Sequence, residues 1–349
     1  MKRSQLREVL DAIGKPTQTW ESPDGTEALV LPYGGRILGL FAPGDDESFF
    51  WTHPALGNAA SGRDFYEGKQ WHNSGGERTW LAPEVDFFFP EFPDRKTYWQ
   101  QRELDPGRYE ISRNDGTFRW SSRATLNLSR TNHNIGVQIT KWLSPALNPL
   151  RYDSELADTA VRYAGYTLHT LLELRSSAPA PPVGLWHLVQ LPHGGDMLIP
   201  TFFRNEPKIF MGAVGPEALI VDDHLIRYKM RAEGKHKLGV RATATTGRVG
   251  YLCNAGDDAS LVVRNFRVNP SGEYVDVPWT ETDNFGFAFQ ACNINAPLGM
   301  FCELEYHVPA VGPPEGGSRS EDQSQMWAFR GPEAAIRSIA RRLLSANIE

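Results

Sequence analysis

The sequence predicts an all-β protein, a large antiparallel β-sandwich with a short helix at each end. Strand-like runs follow one another with turn signals between them, without the regular helical crossovers that a parallel βαβ sheet requires. Two amphipathic helices bracket this region. The chain is rich in aromatics, with 10 Trp, 11 Tyr and 18 Phe among 349 residues. Large sandwiches use such residues as core filling, and sugar sites use them as flat platforms.

At the start, Leu6, Val9, Leu10 and Ile13 fall at i, i+3, i+4 and i+7, which predicts a helix over about 4–13 with Ser4 as its cap and Gly14 as its stop. The run 27–41 reads as two short strands around Tyr33-Gly34-Gly35, and Asn114-Asp115-Gly116 as a hairpin turn between Tyr-Glu-Ile-Ser and Phe-Arg-Trp-Ser-Ser. Further strands are expected at ATLNLS, GVQITKWL, YTLHTLLELR, GVRATAT, SLVVRNFRV, FGFAFQAC and MFCELEYHV. Pro179–Pro182 and Pro309–Pro314 read as loops, since strand signals resume after each. Gly331-Pro332 opens a second helix over about 332–345, in which Ile336, Ile339, Leu343 and Leu344 repeat with helical period; Arg337, Arg341 and Arg342 read as its solvated face. The expectation is one domain over 1–349, with the sandwich over about 18–330.

A net charge of -6 and the lack of a dense basic run argue against a nucleic-acid partner. No segment approaches the roughly 20 apolar residues of a membrane span, and the first residues lack the apolar stretch of a signal peptide. Three cysteines, Cys253, Cys292 and Cys302, cannot all pair and have no metal-ligand spacing. A reduced, cytoplasmic setting is expected, with no metal and no cofactor.

Chemistry concentrates in four stretches. In Met300–Val308, strand alternation puts Cys302, Leu304, Tyr306 and Val308 on one face and Phe301, Glu303, Glu305 and His307 on the other. The second face carries two carboxylates about 7 Å apart along the strand. A solvated edge would account for that row; otherwise a sugar, a base or a cation faces it. In Trp71–Glu84, the residues Trp71, His72, Arg78, Trp80 and Glu84 gather around Gly75-Gly76. An Arg fork suits vicinal hydroxyls, and an indole offers a stacking face with an N–H at its edge; alternatively Arg78 pairs with Glu77 or Glu84. In Gly184–Asp196, Trp186 and His187 fall on opposite faces of a strand and His193 in the loop after it. In Val262–Arg267, Arg264 and Arg267 read as basic residues on opposite faces of a strand.

The phrases GGERTWLAPE, GLWHLVQLPHGGDMLIP, HKLGVRA followed by LVVRNF, and CELEYHVPA occur in this order over about residues 28–330. Together they resemble an uncharacterised family of the galactose-mutarotase-like superfamily, related to the aldose 1-epimerases. The resemblance implies a β-supersandwich whose concave face binds a monosaccharide. It further implies an Arg on the sugar (Arg78), a late Glu as base (Glu303 or Glu305) and a His as acid (His187 or His193). Trp71, His72, Trp80, Glu84, Trp186, Arg264 and His307 complete the expected substrate-binding set. The epimerases' Asn-x-x-His-x-Tyr-Phe-Asn-Leu segment is absent, so the sequence leaves the acid open between two histidines. Mutarotation of a monosaccharide is the expected activity; a non-catalytic sugar-binding module, or a lyase or hydrolase of a longer glycan, are the alternatives.

Overall fold

The computed structural model describes residues 1–114, 117–157, 160–175, 181–255, 258–281, 286–312 and 318–345. Its strands, numbered in chain order, form two large sheets. The nine-stranded sheet runs β1 (Gln18–Glu21), β2 (Glu27–Leu31), β3 (Arg36–Phe41), β4 (Glu77–Ala82), β9 (Gly184–Pro192), β18 (Gly299–His307), β17 (Phe289–Ala296), β14 (Gly234–Val240), β11 (Lys208–Met211). The ten-stranded sheet runs β12 (Leu219–Val221), β13 (Leu225–Lys229), β10 (Asp196–Pro200), β15 (Arg248–Ala255), β16 (Asp258–Asn265), β19 (Arg319–Pro332), β8 (Arg162–Leu174), β7 (His133–Pro145), β6 (Thr117–Leu128), β5 (Tyr109–Asn114). Pairing within the strands described here is antiparallel, as the absence of crossover helices predicted.

Inward-facing side chains of the two sheets make one apolar core. Val189, Cys302, Leu304, Tyr306, Phe289 and Ala291 from the nine-stranded sheet meet Trp120, Tyr166, Leu168, Val262 and Met326 from the ten-stranded one. At about 25 cal/mol per Å² of apolar surface removed from water, this core is the main source of cohesion. Helix α1 (Arg3–Ala12) lays Leu6 and Leu10 on β2 and β3 through Leu29, Leu31, Leu38 and Phe41. It begins one residue before the expected start, and Ser4 is not its cap: Asp46, from a neighbouring loop, accepts from Ser4 N at 3.1 Å and Ser4 Oγ at 2.7 Å. Gly14 does close it, at φ +71, with Lys15 N bonded to Leu10 O. Helix α5 (Glu333–Leu344), following the short α2 (Ala59–Glu67), α3 (Glu84–Phe87) and α4 (Ser154–Ala157), buries Ile336, Ile339 and Leu343 on the outside of the ten-stranded sheet. Its arginines lie toward solvent as their spacing implied, Arg341 and Arg342 exposed and Arg337 half-buried, with Arg337 paired to Glu333 and Arg342 to Asp153 and Glu155.

Some expected boundaries move. The strand expected over GVRATAT ends at Val240, because Ala244 N and Thr245 N both bond to Arg241 O and close a turn. The strand expected over FGFAFQAC begins at Phe289. Arg267 lies beyond the end of β16, so it is not part of that strand's second face. The tip Asp115-Gly116 lies outside the described residues, although β5 and β6 pair on either side of it. Parts of both Pro-rich loops, 179–180 and 313–314, also lie outside them. Among the described residues no helix is long and apolar enough to cross a membrane, and the three cysteines form no disulfide.

Candidate functional site

The outer face of the nine-stranded sheet carries the cluster. Because neighbouring strands are in register, outward side chains form three rows: Trp80–Trp186–His307, Arg78–Leu188–Glu305–Gln290 and Gln190–Glu303–Cys292–Lys237. A polar row on a sheet face is ordinarily solvated. Here the segments after β4 and before β17 cover it, and Glu303 is 7%, Glu305 1% and His307 1% exposed. β18 lies between β9 and β17, so its carboxylates are not on an edge.

Local geometry brings Arg78 in. Gly75 and Gly76 lie at φ +97 and +70, and a Cβ on either would meet a backbone oxygen, Trp51 O at 2.4 Å or Ile37 O at 2.3 Å. The chain passes between those two backbones only as glycine, and β4 starts directly afterwards. Arg78 Nη2 donates to Glu303 Oε1 at 2.8 Å, and Gln190 Nε2 donates to the same oxygen at 2.9 Å. The guanidinium lies over Trp80 at 4.0 Å and near Trp71 at 5.1 Å, cation–π contacts with two adjacent indoles that help to hold it in place. Asp105 holds both indoles through Trp71 Nε1 at 3.0 Å and Trp80 Nε1 at 2.9 Å.

Glu305 accepts from Trp186 Nε1 at 2.9 Å and faces Lys237 Nζ at 3.1 Å. Burial pushes its carboxyl up to about 7; Lys237 opposes this, while Glu303 and Glu84 add to it. Glu84 is likewise raised by burial, with Lys237 at 4.0 Å opposing and Asp276 reinforcing. It accepts from Tyr98 Oη and Trp279 Nε1, both at 2.7 Å. Asp276 accepts from Glu84 N and Gln290 Nε2, both at 2.7 Å. His307 stacks on Trp186 at 5.3 Å, and burial pushes its imidazole well below the ordinary range, so it is neutral.

The cluster therefore gathers Glu303, Glu305, Arg78, Trp71, Trp80, Glu84, Trp186 and His307. Four expected residues do not join it. His187 points to the opposite side of β9, into the sandwich, with Nδ1 3.1 Å from Thr79 Oγ1 and Nε2 3.6 Å from Asp322. Arg264 also points inward, 2.6 Å from Glu77 Oε1; Glu77 is inward because it is one residue from Arg78 on a strand. His72 spends both ring nitrogens on Tyr33 Oη at 2.5 Å and Gly68 O at 2.8 Å. His193 lines a cleft of about 880 Å³ whose walls include none of the four carboxylates.

Lys237, Asp276, Trp279, Tyr98, Gln190, Gln290 and Cys292 were not singled out by sequence. For Gln290, Cys292 and Lys237 the signal was there, since each alternates with an apolar neighbour on a strand. Asp276 and Trp279 come from a stretch without periodicity. Ligand atoms of Cys292, Glu303 and Glu305 lie within 4.8 Å of one another, a spacing a metal could use. Glu303 Oε1 is already taken by Arg78 and Gln190, and Glu305 Oε2 by Trp186 and Lys237, while burial keeps the Cys292 thiol far above its ordinary value, so these donors do not fit a divalent ion well.

A galactose mutarotase-like protein from Lactobacillus casei aligns with 90% of this chain and 99% of its own, at 11% identity and a TM-score of 0.45. The galactose 1-epimerase of Lactobacillus acidophilus aligns with 90% of this chain and 94% of its own, at 10% identity and a TM-score of 0.38. No curated protein matches the chain. A family model described as "Family of unknown function (DUF6786)" matches residues 25–349, nearly all of the chain, and the protein belongs to that family.

Proposed function

We propose that the outer face of the nine-stranded sheet binds a monosaccharide and carries out acid–base chemistry at its anomeric carbon, as an aldose 1-epimerase does. The observation that carries this reading is a set of buried polar atoms with no hydrogen-bond partner among the described residues: Arg78 Nε and Nη1, Gln190 Oε1, Gln290 Oε1 and both ring nitrogens of His307. Each such atom costs about 1–3 kcal/mol when left unpaired. Donors and acceptors stand side by side, and a sugar hydroxyl answers either, since it both donates and accepts.

In this reading Glu303, fixed by Arg78 and Gln190, takes the proton of the anomeric hydroxyl. Glu305, protonated in a large share of molecules near neutrality, gives its proton to the ring oxygen. The ring C–O bond breaks, leaving the open-chain aldehyde; rotation about C1–C2 and the reverse transfers close the other anomer. Lys237 offsets the charge that appears on Glu305. The acid is a carboxyl rather than His187 or His193, which face elsewhere, and rather than the neutral His307.

NMR exchange spectroscopy on a panel of free aldoses tests this. Acceleration of anomer exchange, reduced by about 10²–10⁴-fold in Glu303→Gln, is the expected result; undiminished exchange in that variant would sink the proposal. A second reading, sugar binding without turnover, draws on β9 presenting Trp186, Leu188 and Gln190 to the cluster and no imidazole. Sugar-dependent protein shifts without any exchange would favour it.

A further inference from the structure

The charges of the cluster do not balance. Arg36 is matched by Asp105 and Arg78 by Glu303, but among the described residues Lys237 alone faces Glu305, Glu84 and Asp276. These three carboxylates are 1%, 5% and 1% exposed, so solvent screens them little. Next to them His307, 1% exposed, directs Nε2 to within 3.9 Å of Asp276 Oδ2, and neither of its ring nitrogens has a hydrogen-bond partner among the described residues. A buried imidazole with no hydrogen bond among the described residues, beside acceptors in excess of cations, points to an occupant on this side of the site.

We propose that this occupant is a sugar without an anionic group, and that a protonated amine on the sugar is preferred, seated toward Glu84, Glu305 and Asp276. This rests on the sugar-site reading above and adds the charge class of the substrate. An ammonium group supplies the missing positive charge and brings only donors, which suits a wall of carboxylates. A uronate or a sugar phosphate would add a negative charge to a buried surplus of the same sign, which costs more the less water is present. The raised carboxyls of Glu84 and Glu305 agree with such a surplus.

Titration calorimetry with three members of each of the gluco and galacto series separates the possibilities: the neutral aldose, its 2-amino-2-deoxy form and its uronate. The pH is held where the amine is protonated. The expected result, in whichever series binds, is an amino sugar at least about tenfold tighter than the neutral sugar, with the uronate weaker than both. In Glu84→Gln, whose amide can still accept from Trp279 and donate to Tyr98, the amino-to-neutral ratio should fall toward one. A neutral sugar that binds as well as its amino form, or a uronate that binds better than either, overturns this inference and leaves the sugar-site reading standing. No binding by any of the six overturns both.

Discussion

The two faces of the nine-stranded sheet each carry a cluster of buried ionisable groups, and the clusters differ in kind. On the inner face Glu77 meets Arg264 at 2.6 Å and Tyr166, Tyr306 donates to Asp322 at 2.6 Å, and Lys141 Nζ donates to Gly35 O at 2.9 Å. Two cations, Arg264 and Lys141, are set against two acids, Glu77 and Asp322. On the outer face three cations, Arg36, Arg78 and Lys237, are set against five acids, Asp105, Glu84, Asp276, Glu303 and Glu305. Burial alone therefore does not mark a functional site. Polar atoms without a partner among the described residues occur on both faces, His187 Nε2 and Arg264 Nε among them on the inner one, so a surplus of one charge is the more informative sign.

The largest expected effect breaks the inner cluster. Replacing Arg264 by Met leaves Glu77 buried without its closest cation and should cost about 3–5 kcal/mol of unfolding free energy, read by urea denaturation. Anomer exchange per folded molecule should be retained, because Arg264 lies on the far side of the sheet from Glu303.

A second expectation concerns pH. Glu305 acts in its protonated form, and its carboxyl is raised to about 7, so exchange should fall as pH rises through that value. Glu305→Gln should lose both the exchange and this limb of the pH profile. The same shift bears on stability. Protonation of Glu305 favours the folded state fully below the ordinary carboxyl range, near 4.5, and that contribution is lost as pH rises to about 7. The variant should therefore show a flatter stability profile over that window.

The smallest expected effect concerns His307. Changing it to Phe keeps a ring on Trp186 and removes two nitrogens that make no hydrogen bond among the described residues. Unfolding free energy should stay level or rise by about 1 kcal/mol, while sugar affinity measured by calorimetry falls. A clear loss of stability would move His307 from the ligand side of the comparison to the structural side.

Much of the outer cluster was legible because strand alternation is a strong constraint. Once MFCELEYHV is a strand, Glu303, Glu305 and His307 must share a face, and Cys302, Leu304 and Tyr306 pack in the core on the other. Which face a residue takes turns on a single step of register, and that separates His187 from Trp186 and Glu77 from Arg78. β19 was illegible for the opposite reason. Its inward positions begin Ser320, Asp322, Ser324, all buried, so a rule that expects apolar residues inside reads 319–325 as exposed chain. Lys237, 4% exposed, escaped notice because an isolated lysine on a strand normally faces water. Folding places it among carboxylates that lie far away in sequence.

The account is tested most directly by a matched pair of isosteric changes, Glu303→Gln on the outer face and Glu77→Gln on the inner face. Anomer exchange per folded molecule and the urea midpoint are measured for each. The prediction is that Glu303→Gln loses exchange and keeps most of its stability, whereas Glu77→Gln loses stability and keeps exchange. Exchange that survives Glu303→Gln, or that disappears equally in both variants at matched folded fraction, would contradict the assignment of the chemistry to the outer face.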